Sequence, residues 1–271
     1  MRTIVAATDF SDSSLNAVQY AADLAVATSH TLTIVHVDQA LSFRKEVPQT
    51  DQQVIEAELQ MQRIKKLVID KAGDKIDVNT DILGGPVVAS LRQYCSSIDP
   101  WVVIMGAEKA GALQRFFLGG RTIEAMQTLE WPVIIVPTGI QYKTINRIGI
   151  ACDLEDVQNT LPLSQLEGIR KVFNAELFVL HVKTVDTKRE GSNTEDQAKK
   201  LRNILGHMSP KFIFIDGASV EDSIESVARQ NKIDMLVVVP KKHGFFHRLF
   251  YDSQSTRMVL SSQVPMLSIH Q

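Results

Sequence analysis

Two clusters of residues in this chain have the types and spacing for binding a phosphorylated ligand. One is Ala7-Thr8-Asp9-Phe10-Ser11; the other is Gly106-Ala-Glu-Lys109-Ala-Gly111, running on to Leu118-Gly119-Gly120-Arg121-Thr122. Glycine lets backbone come close to a phosphate, and a helix beginning after the second cluster would offer unpaired N–H groups and a favourable dipole. Lys109 and Arg121 add charge that a phosphate can accept directly. Nucleophilic or metal chemistry has no comparable support. The sequence holds no HExxH, no Cys/His cluster and no paired-carboxylate spacing, so no catalytic residue and no metal ligand is assigned.

Both clusters need a scaffold that brings them together, and the flanking segments supply one. Short Val/Ile-rich runs alternate with stretches of helical period, which predicts βαβ units and a parallel sheet. The runs before residue 140 are Thr3–Ala7, Leu32–Val37, Ile76–Ile82, Val102–Met105 and Val133–Val136. Leu15, Val18, Ala22 and Ala25 share one helical face between the first two; Val54, Met61, Ile64 and Val68 share another between the second and third. In an open parallel sheet, ligands bind beyond the carboxyl ends of the strands where strand order reverses. That rule selects the loops after the first and fourth strands, which are the two clusters.

The order then begins again with Arg147–Ala151, Leu177–Val182, Phe212–Ile215, Met235–Val239 and Pro265–Ile269. IVAATD ending at Asp9 matches IGIACD ending at Asp153, IVHV ending at Val37 matches VLHV ending at Val182, and Trp131-Pro-Val matches Val264-Pro-Met. The offset falls from about 144 residues early to about 133 late, so this is a duplicated domain with a shortened middle rather than a solenoid. The expected domains are 1–140 and 145–271, joined by the polar stretch Gly139–Thr144. The fold class expected is α/β: two tandem doubly wound parallel-sheet domains, each with strand order 3-2-1-4-5.

At these loops the chain resembles the universal stress protein family, whose ATP-binding members carry G-x2-G-x9-G-[ST]. Gly106-x2-Lys109-x9-Gly119-Gly120 keeps the spacing and both outer glycines; Lys109 replaces the second glycine and Gly120 the Ser or Thr. The resemblance implies an adenine nucleotide alpha hydrolase-like fold. It places Ala7, Thr8, Asp9 and Val37 at adenine and ribose, and Gly106, Gly119, Gly120 and Arg121 at the phosphates, with Met105, Lys109 and Thr122 beside them. It implies ATP or another adenine nucleotide as ligand, with Mg²⁺ as an optional companion. Domains of the family associate through their fifth strands, here Val133–Val136 and Pro265–Ile269, which would cover exposed edges.

In the second copy Pro240 stands for the first glycine and Asp252 for the third. Proline offers no N–H, and a carboxylate repels phosphate, so ATP of the family's usual kind is not expected there. Cys152, Asp153 and Val182 remain as an altered second site. The basic loop Lys241–Arg248, with Phe245, Phe246 and Phe250, has the makings of a stacking surface, or of a solvated loop held by its aromatics.

Other readings of the same residues stay open. Asp9 is a ligand contact or a helix cap, with Ser11 and Asp12 as rivals for capping. His36 and His181 occupy matched places in apolar strands and read as packed, hydrogen-bonded histidines. The polar insertion Asp38–Thr50 reads as a lid or a loop. The 271 residues are 44% hydrophobic and carry a net charge of −2, which sets nucleic acid aside as the default partner. Cys95 and Cys152 read as reduced, buried thiols, and no apolar run reaches the roughly 20 residues of a membrane span. The expectation is therefore a cytoplasmic regulatory protein with an unknown protein partner and a tendency to homo-oligomerise. The rivals are a nucleotide-free scaffold and a slow nucleotide hydrolase.

Overall fold

The computed structural model describes residues 2–39, 52–107, 120–154, 156–183, 194–217, 219–240 and 262–270. The chain divides into two compact units, Met1–Tyr142 and Lys143–Gln271. In the first, β1 (Thr3–Thr8), β2 (Thr31–Asp38), β3 (Val78–Gly84), β4 (Val102–Ala107) and β5 (Val133–Pro137) pair in parallel in the order 3-2-1-4-5. The strands of the second, β6 (Arg147–Ala151), β7 (Glu176–Lys183), β8 (Lys211–Asp216), β9 (Met235–Val238) and β10 (Met266–Ser268), repeat that plan. The expected α/β class and strand order are therefore those of the molecule. The third strand starts at Val78 rather than Ile76, because a 3₁₀ turn over Gly73–Lys75 consumes the residues before it.

Ile4, Val5 and Ala6 of β1 have no exposed surface, as a strand covered on both faces requires. The helix α1 (Asp12–Thr28) covers this strand with Ala17, Val18, Ala21, Leu24 and Ala25; Leu15, from the face read in the sequence, is only half-buried. Ser11 caps α1, its hydroxyl accepting from the Ser14 N–H at 3.3 Å, and Ser29 ends it in the left-handed region at φ 55°. The helices α2 (Gln52–Ala72), α3 (Val87–Ile98) and α4 (Gly120–Thr128) complete the unit. Cys95 of α3 is buried, which pushes its thiol up to about 12 and leaves it unreactive. Among the described residues, no helix is long and apolar enough to cross a membrane.

The second unit carries α5 (Val157–Thr160), α6 (Leu163–Phe173), α7 (Thr194–Leu205) and α8 (Val220–Gln230). Its first helix is broken where α1 is continuous. Residues 40–50 of the insertion after β2 and the basic loop Lys241–Arg248 lie outside the described residues.

Candidate functional site

The turn from β1 into α1 is built by short polar side chains that hydrogen-bond one another. The Thr8 and Ser14 hydroxyls share a bond of 3.0 Å, and the Phe10 N–H donates to Thr8 Oγ1 at 3.1 Å. The Ser11 N–H and hydroxyl both donate to Asp9 Oδ1, at 3.1 and 2.5 Å. Asp9 therefore shapes the approach to the helix while Ser11 does the capping. Partial burial pushes the Asp9 carboxyl up; hydrogen bonds from Ser11 and Ser14 more than offset this and leave it below its ordinary 3.8. It is an anion at neutral pH.

On β2, His36 is the register partner of Thr8 and fastens the same turn. Its Nδ1 donates to the Thr8 carbonyl at 2.9 Å, and its ring lies 4.3 Å from that of Phe10, which is held at φ 68°. This is the packed, hydrogen-bonded histidine read from the sequence. Asn16 ties α1 to the end of β5 by donating to the Ile140 carbonyl at 3.1 Å.

On the other side of the switch point, β4 ends at Gly106 and Ala107. A Cβ added to Gly106 would lie 2.3 Å from the Ser13 carbonyl oxygen and 2.9 Å from the Ser14 nitrogen. Both are backbone atoms, so this glycine exists to seat the first turn of α1 against β4. Gly120, which opens α4, differs: among the described residues an added Cβ there would meet nothing within 4 Å.

Between these elements lies a cleft of about 250 Å³. Of the residues predicted from sequence, Ala7, Thr8, Asp9, Val37, Met105, Gly106, Arg121 and Thr122 line it. Lys109 and Gly119 lie outside the described residues. Sequence reading missed Ser13, Ser14, Val35 and Val87. Val35 was within reach, since residues two apart on a strand share a face and Val37 had been chosen. Val87 and the serines come from helices whose seat on the sheet no local pattern reports. Val35, Val37, Val87 and Met105 give the lining its apolar part, and Thr8, Asp9, Ser14, Arg121 and Thr122 its polar part. Asp9 is the one carboxylate in the described lining, and no histidine, cysteine or lysine joins it. The cleft is equipped for binding an amphipathic ligand.

The second unit answers this site with a different construction. In the first unit Ile4 pairs with Val102; in the second Ile148 pairs with Met235. Carried along the strands, that register puts Val239 in the place of Gly106 and Pro240 in the place of Ala107. The sequence alignment, which matched Pro240 to the first glycine, is thus corrected by one residue. A valine side chain there excludes the seat that α1 uses. The chain after β6 instead passes through Leu154 and Asp156 at φ 57° and 44°, makes the single turn α5, and restarts at α6 after Pro162.

Cys152 and Asp153 leave β6 and Val182 lies in β7. Cys152 is half-buried rather than buried. His181 is 3% exposed; its Nδ1 donates to the Cys152 carbonyl at 2.9 Å, and among the described residues its Nε2 has no hydrogen-bond partner. Burial holds this imidazole below its ordinary 6.5. Below pH 6.5 the unfolded imidazole takes up a proton that the folded one refuses, until the lower folded pKa is passed. Stability should accordingly fall as pH drops through that window, and His181→Phe should flatten the fall. Urea midpoints at about pH 7.5 and about pH 5.5 measure it, with His30→Gln correcting for His30, whose pKa burial also depresses.

Two solved structures share the fold over the length of the chain. One is a universal stress protein from Archaeoglobus fulgidus, at 15% identity and TM-score 0.72, covering 99% of this chain and 98% of that one. The other is a functionally unknown protein from Pseudomonas aeruginosa, at 12% identity and TM-score 0.62, covering 100% of this chain and 92% of that one. No curated protein matches the chain. The family model described as the universal stress protein family matches residues 1–137, the span that carries the β1 turn, Gly106 and α4. With half of the chain matched and the fold shared throughout, the protein belongs to the universal stress protein family.

Proposed function

We propose that the first unit binds ATP or another adenine nucleotide, and that the protein acts as a cytoplasmic, self-associating stress-response regulator that holds the nucleotide without efficient turnover. The observation that supports this most is the amphipathic cleft at the switch point. Its valine and methionine side chains suit a flat base, and the Asp9 carboxylate accepts hydrogen bonds from ribose hydroxyls. Arg121, Thr122 and the first turn of α4 suit phosphate oxygens.

The described residues do not suit a resident metal. No group of three His, Cys, Asp or Glu among them is placed to hold one, so Mg²⁺ would enter only on the phosphates of its nucleotide. The described lining also lacks a general base beside Asp9, which supports binding over hydrolysis. Nucleotide binding would influence a partner only by favouring one state of the protein over another.

Denaturing the purified protein and identifying released small molecules by mass spectrometry, followed by ATP titration of the emptied chain, tests the reading. An adenine nucleotide is expected, in near-equal proportion to protein. An empty protein that ignores adenine nucleotides at about 1 mM, a free energy of only about −4 kcal/mol, would overturn it and leave a nucleotide-free scaffold.

A further inference from the structure

The two units also differ at the opposite ends of their sheets, where β4 and β5, or β9 and β10, begin. In the first unit Trp131 Nε1 donates to Asp99 Oδ1 at 2.9 Å, and Trp101 stacks on His30 at 4.5 Å. Backbone bonds fix the corresponding residues in the second. The Trp101 N–H donates to the Thr3 carbonyl as that of Asp234 does to Arg147, and the Val103 N–H donates to Pro132 as that of Leu236 does to Pro265. Asp234 therefore replaces Trp101 and Val264 replaces Trp131. Lys232 replaces Asp99, both in the left-handed region at φ 52° and 45°. Two indoles are lost, and an anion becomes a cation.

The second unit has a cavity of about 400 Å³ here, within the range of small-molecule pockets. Buried Ala228, Ile233 and Leu236, with Val264, form an apolar floor. Lys143, Arg229 and Lys232 stand exposed at its rim, and among the described residues no ion pair engages any of the three. The Asp234 carboxylate is already committed: its Oδ2 accepts from the Asn146 and Arg147 N–H groups at 2.9 and 3.0 Å. The three cations thus outnumber the two carboxylates of the lining, Glu225 and the hydrogen-bonded Asp234.

We propose that this cavity binds a small organic anion, its aromatic body on the floor vacated by the indoles and its carboxylate or phosphate head among Lys143, Arg229 and Lys232. The site is independent of the nucleotide reading, since every residue lies in the second unit. Calorimetric titration of the full chain with phenyl phosphate, benzoate and neutral benzamide tests it. At least one anion should bind, benzamide at least about tenfold more weakly, and the better anion identifies the head group. Arg229→Gln with Lys232→Gln should weaken anion binding about tenfold or more, and Val264→Trp should abolish it by refilling the floor. The paired charge variant alters only exposed side chains, so the test survives if Val264→Trp does not fold. Equal affinity for benzamide, unchanged affinity in the charge variant, or no binding of either anion at about 10 mM overturns the proposal.

Discussion

Gly106→Val should destabilise the first unit by about 3 kcal/mol and abolish nucleotide binding in the same protein. The new side chain has no room, because its first carbon would lie 2.3 Å from the Ser13 carbonyl oxygen and 2.6 Å from the Ser13 carbonyl carbon. Neither atom is the movable end of a flexible side chain. The start of α1 would have to lift from β4, carrying Ser13, Ser14 and the Asp9 turn out of the cleft. Denaturant midpoints and ATP titration read the two losses together. Gly120→Ala is the control: among the described residues its Cβ meets nothing within 4 Å, and alanine in a helix is favoured over glycine by about 0.5–1 kcal/mol, so stability should hold or rise. A Gly106→Val protein with wild-type stability would show that the close approach of α1 does not govern the site.

Asp9→Ala should weaken nucleotide binding by about ten- to a hundredfold while leaving the fold in place. A hydrogen bond to a charged group contributes about 1.5–3 kcal/mol, and Asp9 is the anionic acceptor in the described lining. The helix survives the change because Ser11, not Asp9, accepts the Ser14 N–H. The loss of the two Ser11 bonds should cost about 1 kcal/mol of stability. Asp153→Ala, the matched change in the second unit, should leave affinity unaltered. Equal losses in both variants would put the nucleotide somewhere other than the β1 switch point.

Local regularities made much of this molecule legible before its structure. The alternation of Val/Ile runs with helical periods reports βαβ units, because strand and helix periods are set by backbone geometry within a few residues. The recurrence of a strand ending in Asp9 at Asp153, and of His36 at His181, reports the duplication, and strand order with the switch-point rule picks out the residues at the strand ends. That rule selects the loop after β1, with Thr8 and Asp9, and the stretch after β4 that runs on to Arg121, and the family resemblance selects residues within them.

What only the tertiary structure decided depends on contacts far apart in the chain. That Gly106 seats the first turn of α1 depends on where that helix sits, and the helix comes far earlier in the sequence. One residue of strand register separates Pro240 from Val239 as its counterpart, and that register belongs to the pairing of β6 with β9. The cation-rimmed cavity was equally hidden. Val264 and Lys232 are ordinary residues in the sequence; they acquire meaning only when the sheet brings them to the places that Trp131 and Asp99 fill in the first unit. Periodicity is a property of neighbours along the chain, whereas the space beside a Cα is set by whatever the fold has packed against it.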